Sequence, residues 1–89
     1  MALHIIQSGQ ATAIAEIEGL VQSGDQVLLL EDGCYLYTLA AQKFSNLQAM
    51  SSHMESRGLT AKATKLGIDL ISIKQWALLT RAHSQILTW

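Results

Sequence analysis

The stretch Val27-Leu28-Leu29-Leu30-Glu31-Asp32-Gly33 decides the fold class of this chain. Its first four residues are all apolar, which is typical of a central parallel strand covered by helices on both faces. The polar Glu31-Asp32-Gly33 ends this strand and can begin a helix over about residues 34–42. A buried strand that leads directly into a helix indicates a unit of a parallel α/β sheet.

The rest of the chain repeats this alternation of short apolar runs with helical periodicity. Gly24 has the place of a left-handed cap after the first helix, and Ser52 with Glu55 and Ser72 with Gln75 match capping boxes. We therefore predict one α/β domain over residues 1–89, a small four-stranded, mainly parallel, flavodoxin-like sheet with helices on both faces. Besides the segments above, the predicted strands are 3–6, 47–50 and 68–71. The predicted helices are about 10–23, a short one from the Ser52 cap to Arg57, and 73–84, with 59–67 either loop or helical turn.

The composition indicates a chain that associates with others. Apolar residues make up 49% of it and charged residues only 15%. Few charges leave little polar surface for a small monomer, so we expect apolar surface to be buried against another chain. The alternative is a leucine-rich core packed within one chain.

Charge and cysteine content exclude several classes of protein. The net charge of −1, with six basic residues scattered along the chain, argues against direct nucleic-acid binding. No apolar run is long enough to span a bilayer, and the chain start lacks a signal-peptide pattern, so no membrane role is expected. Cys34 is the only cysteine, which excludes an internal disulfide and favours a cytoplasmic, reducing location.

The loops that follow the strands carry no cofactor motif. Neither a glycine-rich dinucleotide fingerprint nor a phosphate-binding loop is present, and no acidic pair follows the first strand. His4, His53 and His83 lack metal-ligand spacing. We therefore predict no cofactor and no metal, and an enzyme acting alone is not expected.

Cys34 is the one candidate for catalytic chemistry. At the start of a helix its thiolate would be stabilised by exposed backbone N–H groups, whereas the neighbouring Glu31 and Asp32 would raise its pKa. The two effects oppose each other, so a reactive thiol and a small packed core residue both remain open. Trp89 has two similar alternatives, since it can pack on its own domain or anchor in a partner.

Several segments together resemble the DsrH/TusB family of sulfur-relay proteins. They are the opening Leu3-His4-Ile5-Ile6 with Ser8, the 27–33 stretch, Arg57-Gly58-Leu59, Ile71-Ser72-Ile73, and the tail with His83-Ser84-Gln85 and Trp89. The resemblance runs nearly end to end.

This resemblance implies a DsrE-like parallel α/β domain that assembles with DsrE/TusD-like and DsrF/TusC-like subunits in a hetero-hexamer. Such complexes pass persulfide sulfur between proteins, in tRNA 2-thiouridine synthesis or in sulfur oxidation. We expect this chain to act mainly through assembly, with Asp32, His83 and Trp89 at the interface. The alternatives are a persulfide carrier that uses Cys34, a position where the family more usually has an apolar residue, and an orphan homo-oligomer.

Overall fold

A single sheet of five parallel strands forms the centre of the computed structural model, which describes every residue from Met1 to Trp89. The first strand is buried along its whole length, with four apolar residues and the polar His4, and it pairs with the second strand on one side and the fifth on the other. The strands are β1 Ala2–Ile6, β2 Gln26–Leu29, β3 Leu47–Met50, β4 Asp69–Ile71 and β5 Gln85–Thr88, in the spatial order β4-β3-β2-β1-β5.

The prediction of four strands was wrong by one, because β5 was missed. This strand has four residues and only two of them, Ile86 and Leu87, are apolar. Its pairing partner is β1, more than 80 residues earlier in the chain, with Leu3 opposite Ile86 and Ile5 opposite Thr88. So short a segment has no recognisable strand pattern of its own. The strand forms because the outer edge of β1 provides backbone groups for it to pair with.

The helices are shorter than predicted in the first half of the chain. α1 spans Ala11–Glu18 and ends at Gly19, so Gly24 caps no helix but takes its positive φ of 90° in the turn before β2. The predicted 34–42 helix is two elements, a 3₁₀ helix over Glu31–Leu36 and α2 over Tyr37–Lys43. The remaining helices are α3 Ser51–Ser56, α4 Thr60–Lys65, which settles the ambiguous 59–67 segment as helical, and α5 Ile73–Ala82.

One of the two predicted capping boxes is confirmed. The Ser72 side chain accepts the backbone N–H of Gln75 at 3.2 Å, and the Gln75 side chain accepts the Ser72 N–H at 2.8 Å. The box predicted at Ser52 and Glu55 is wrong, because the chain passes from β3 directly into α3 with Met50 in the cap position.

Helices cover both faces of the sheet, as predicted, and strand order explains which helix covers which face. The chain steps in one direction from β1 to β4, so right-handed crossovers put α1 to α4 on the same face. The last crossover runs back across the sheet to β5, which puts α5 on the other face. The first face buries a core that includes Ile14, Ile17 and Met54, and the second packs Trp76 and Leu79 of α5 on Leu3, Leu28 and Met50.

No helix of the structure has the length and apolar character needed to cross a membrane.

Candidate functional site at the carboxyl edge of the sheet

The Glu31-Asp32-Gly33 turn is held tightly against the end of β1. Leu30 donates its N–H to the Ile6 carbonyl at 3.0 Å, and Gly33 donates to the Gln7 carbonyl at 3.1 Å. A Cβ atom on Gly33 would lie 1.9 Å from the Ile6 carbonyl oxygen, so only glycine fits there. Glu31 adopts a positive φ of 49°, which is uncommon for a residue with a side chain. The turn therefore has a defined shape that presents Asp32 outward.

Four side chains gather beside this turn, and we call Asp32, Tyr35, His53 and Arg57 the carboxyl-edge cluster. Arg57 is the centre, because its Nη2 atom lies 3.2 Å from Asp32 Oδ1 and its Nη1 donates to the His53 carbonyl at 3.2 Å. Its guanidinium carbon also lies 5.7 Å from the centroid of the Tyr35 ring, within the range of a cation–π contact. The guanidinium is thereby fixed in orientation at the protein surface.

His53 contributes through one ring nitrogen and leaves the other available. Its Nδ1 accepts the N–H of Glu31 at 2.9 Å, so the neutral ring carries its proton on Nε2. Tyr35 is 55% exposed, while the Arg57 side chain is only 21% exposed. The cluster thus combines an exposed aromatic ring, an oriented arginine and a free imidazole donor. Tyrosine and arginine are enriched where proteins bind one another.

Cys34 lies beneath the cluster and is fully buried. Its Sγ lies 3.8 Å from the Leu29 carbonyl, as a weak donor. Burial raises the pKa of this thiol to about 11, and the opposing charge of Arg57 offsets that effect only partly. The residue stands in a 3₁₀ helix and not in the first turn of an α-helix. In this arrangement the thiol is neutral at pH 7 and packs as a core residue; its use as a sulfur carrier stays a prediction.

Of the three residues expected at an interface, two lie at the carboxyl edge and the third lies at the opposite edge. Asp32 belongs to the carboxyl-edge cluster. Trp89 follows β5 at the same edge, where it is half-buried against the core and its carbonyl accepts the N–H groups of Gln7 and Ser8 at 2.9 and 3.2 Å. His83 lies at the opposite edge, because α5 runs back to the start of β5, and it is buried with Nδ1 2.8 Å from the Leu79 carbonyl.

The cluster contains residues that the sequence alone did not single out. The sequence pointed to Arg57 only as part of the Arg57-Gly58-Leu59 segment, and to His53 only as a histidine without metal-ligand spacing. Asp32 and Arg57 are 25 residues apart in the chain. Helix α2, strand β3 and helix α3 intervene, so no local spacing joins them, and the Arg57-Gly58-Leu59 segment was the one indication in the sequence.

A second polar group, at the amino edge of the sheet, fastens β1. Asp25 Oδ1 accepts the N–H of Ala2 at 2.8 Å, Oδ2 accepts the N–H of Gln22 at 3.0 Å, and His4 Nε2 lies 3.2 Å from Oδ2. The two backbone hydrogen bonds are the main reason that the pKa of Asp25 is lowered to about 2. Its contacts are all internal, so the group is structural.

The structure contains no cluster of three or more His, Cys, Asp or Glu side chains that could hold a metal ion. Fold and site together describe a small parallel α/β domain with a surface suited to recognition.

The model of the DsrH-like protein family matches residues 7–86, so the chain belongs to the DsrH-like family. This confirms the resemblance found in the sequence and associates the chain with sulfur-relay subunits. The search of curated proteins found no match.

Proposed function

We propose that this chain is a non-catalytic subunit of a cytoplasmic sulfur-relay complex, which binds DsrE/TusD-like and DsrF/TusC-like partners in a hetero-hexamer. Family membership supports a place in a relay of this kind. The observation that carries the assembly role is the fixed Arg57 guanidinium between Asp32 and Tyr35 on the surface, above a buried and neutral thiol.

The carboxyl-edge cluster is the proposed binding surface for one of these partners. An arginine already held by an ion pair and an aromatic ring loses little side-chain freedom on binding, so its hydrogen bonds cost less entropy. Tyr35 adds a large and rigid apolar area at its side. Tyrosine and arginine are the residue types that most often dominate binding energy in protein interfaces.

Binding to the co-purified partner subunits tests this proposal. We expect Arg57→Ala and Tyr35→Ala each to weaken binding by about tenfold or more, the effect of a loss of roughly 1.4 kcal/mol at a binding hot spot. Lys65→Ala is the matched control, since it also removes a positive charge but lies where α4 leads to the other edge of the sheet. Unchanged affinity of both cluster variants for every partner would refute the proposed surface.

Persulfide carriage by Cys34 is the second candidate function, because Cys34 is the only thiol and lies directly beneath the cluster. In this reaction the Cys34 thiolate attacks the outer sulfur of a donor persulfide, and the donor leaves as a thiolate. The attack requires the 3₁₀ helix to open. After incubation with a cysteine desulfurase and cysteine, a carrier gains the mass of one sulfur atom and Cys34→Ser does not. Absence of that adduct on the folded protein would reject this candidate and leave the assembly role standing.

The pathway served follows from the partners. We propose tRNA 2-thiouridine synthesis or sulfur oxidation as the two settings, on the strength of the family alone. Measurement of 2-thiouridine in tRNA from a strain that lacks this chain separates them.

A further inference from the structure

β5 is one of the two edge strands, and no other strand of residues 1–89 pairs with its outer side. Its sequence Gln85-Ile86-Leu87-Thr88 contains no charged residue, no glycine and no proline. Edge strands of proteins are commonly protected from pairing by such residues, by bulges or by a covering element. The other edge strand, β4, has three residues and an exposed aspartate, Asp69. Only the β5 edge is therefore left without protection.

The backbone groups that face outward from β5 can be identified from the register. Trp89 donates its N–H to the Ile5 carbonyl, and the Trp89 carbonyl accepts from Gln7. In a parallel ladder every second residue of a strand bonds to a given neighbour, so Leu87 and Gln85 also bond to β1. The N–H and C=O groups of Ile86 and Thr88 consequently point away from the sheet, toward the open edge.

We propose that this edge pairs antiparallel with β5 of a second copy of the chain, with the two Ile86 residues facing each other on a two-fold axis. In that register the two Ile86 residues exchange both of their hydrogen bonds, and Thr88 of each copy lies opposite Ser84 of the other, the bend residue just before β5. The two sheets become one continuous sheet. The proposal goes beyond the hetero-complex, because it concerns the chain by itself.

A second copy fits this edge because the pairing is self-complementary. One residue, Ile86, has its backbone groups directed outward at the centre of the strand, so a single two-fold axis satisfies both copies. The Ile86 side chain, 43% exposed, gains a contact with its own counterpart on the α5 face. On the other face Leu87 lies beside Gln85 of the second copy, next to the exposed Met1 and Leu20. No like charges meet in this pairing, because the strand contains no charged residue.

Disulfide trapping tests the register directly. The Cα atoms of a hydrogen-bonded antiparallel pair are about 5.5 Å apart, which suits a disulfide. We therefore expect Ile86→Cys to form a covalent dimer under mild oxidation. Thr88→Cys is the matched control on the same strand and sheet face, since the two Thr88 residues would be displaced by four positions, about 13 Å, and cannot be joined. The wild-type chain, with its thiol buried, gives the background.

Two measurements on the chain without partners complete the test. We expect sedimentation to show a dimer, and amide hydrogen exchange to show protection of Ile86 and Thr88 that is lost on dilution, while Leu87 stays protected throughout. Ile86→Lys should raise the dissociation constant of the dimer severalfold, because two like charges meet on the two-fold axis. Thr88→Lys should raise it less.

A monomer at all concentrations, a dimer in which Ile86 exchanges freely, or equal trapping of both cysteine variants would each overturn the proposal. So would protection of Ile86 only on addition of a different protein, which would assign the edge to a foreign strand. Since no relay partner is present in these measurements, failure here leaves the proposed relay function unaffected.

Discussion

Gly33→Ala is the substitution whose effect on stability can be worked most directly from the structure. The added Cβ would lie 1.9 Å from the Ile6 carbonyl oxygen and 2.7 Å from its carbon. Since a carbon and an oxygen in contact are normally about 3.3 Å apart, the turn and β1 must separate by more than about 1 Å. That movement strains the core and weakens the hydrogen bonds from Gly33 to Gln7 and from Leu30 to Ile6.

Overpacking of this kind costs about 1–3 kcal/mol, and each weakened hydrogen bond about 1 kcal/mol more. The expected loss in the free energy of unfolding is therefore about 3–5 kcal/mol, a large part of the stability of a small domain. Urea unfolding followed by tryptophan fluorescence measures it. With a slope near 2 kcal/mol per molar, the midpoint should fall by roughly 1.5 M or more.

Gly19→Ala is the control, because a Cβ at Gly19 meets no atom within 4 Å and its φ of −80° suits alanine. We expect this variant to be more stable than the wild type by roughly 0.5–1 kcal/mol, through the lower entropy of its unfolded chain. The steric reasoning is refuted if Gly33→Ala unfolds within about 0.5 kcal/mol of the wild type, the range of an ordinary surface substitution.

Three further predictions follow from single side chains. Burial raises the pKa of Cys34 to about 11, so iodoacetamide should label this thiol slowly at pH 8 in the folded protein and rapidly in urea. The stabilisation that comes from burying the neutral thiol is present below pH 9 and is lost as the pH rises toward 11. The pKa of Asp25 is lowered to about 2, so the free energy of unfolding should fall as the pH drops from about 4 to 2. In urea titrations Asp25→Asn should remove most of that pH dependence. Glu16→Gln, on the exposed side of α1, should leave it unchanged. Ser72→Ala should cost about 1 kcal/mol because it removes a formed helix cap, whereas Ser52→Ala should change the unfolding midpoint little, and equal effects would contradict the assignment of the caps.

The parallel sheet and most of its elements could be predicted because their signals are local. Val27 to Leu30 is apolar on both faces, and the structure buries all four residues. Ser72 and Gln75 lie three residues apart, so their capping box can be recognised without knowledge of the rest of the fold.

The parts that could not be predicted depend on contacts between distant segments. The Ser52 capping box failed although its spacing was right, because the end of β3 sets the path into α3. The reactivity of Cys34 also depends on distant residues. Burial raises the pKa of its thiol by more than the charge of Arg57 lowers it, and neither effect can be inferred from the neighbouring Glu31 and Asp32. The Asp32–Arg57 pair joins two crossovers and required the strand order.

The high apolar fraction of the chain has two physical causes that the structure separates. A parallel sheet covered on both faces needs strands that are apolar on both faces, and four of the five buried residues of β1 are apolar for this reason. Much of the apolar content is thus required by the fold and needs no partner.

The apolar side chains left exposed are the ones that bear on association, and they include Tyr35 at the carboxyl-edge cluster and Ile86 on β5. Tyr35 follows β2, whereas Ile86 lies on β5, and β1 separates these two strands. A relay partner at the cluster and a second copy at the β5 edge would therefore contact different parts of the sheet, so binding of one need not displace the other.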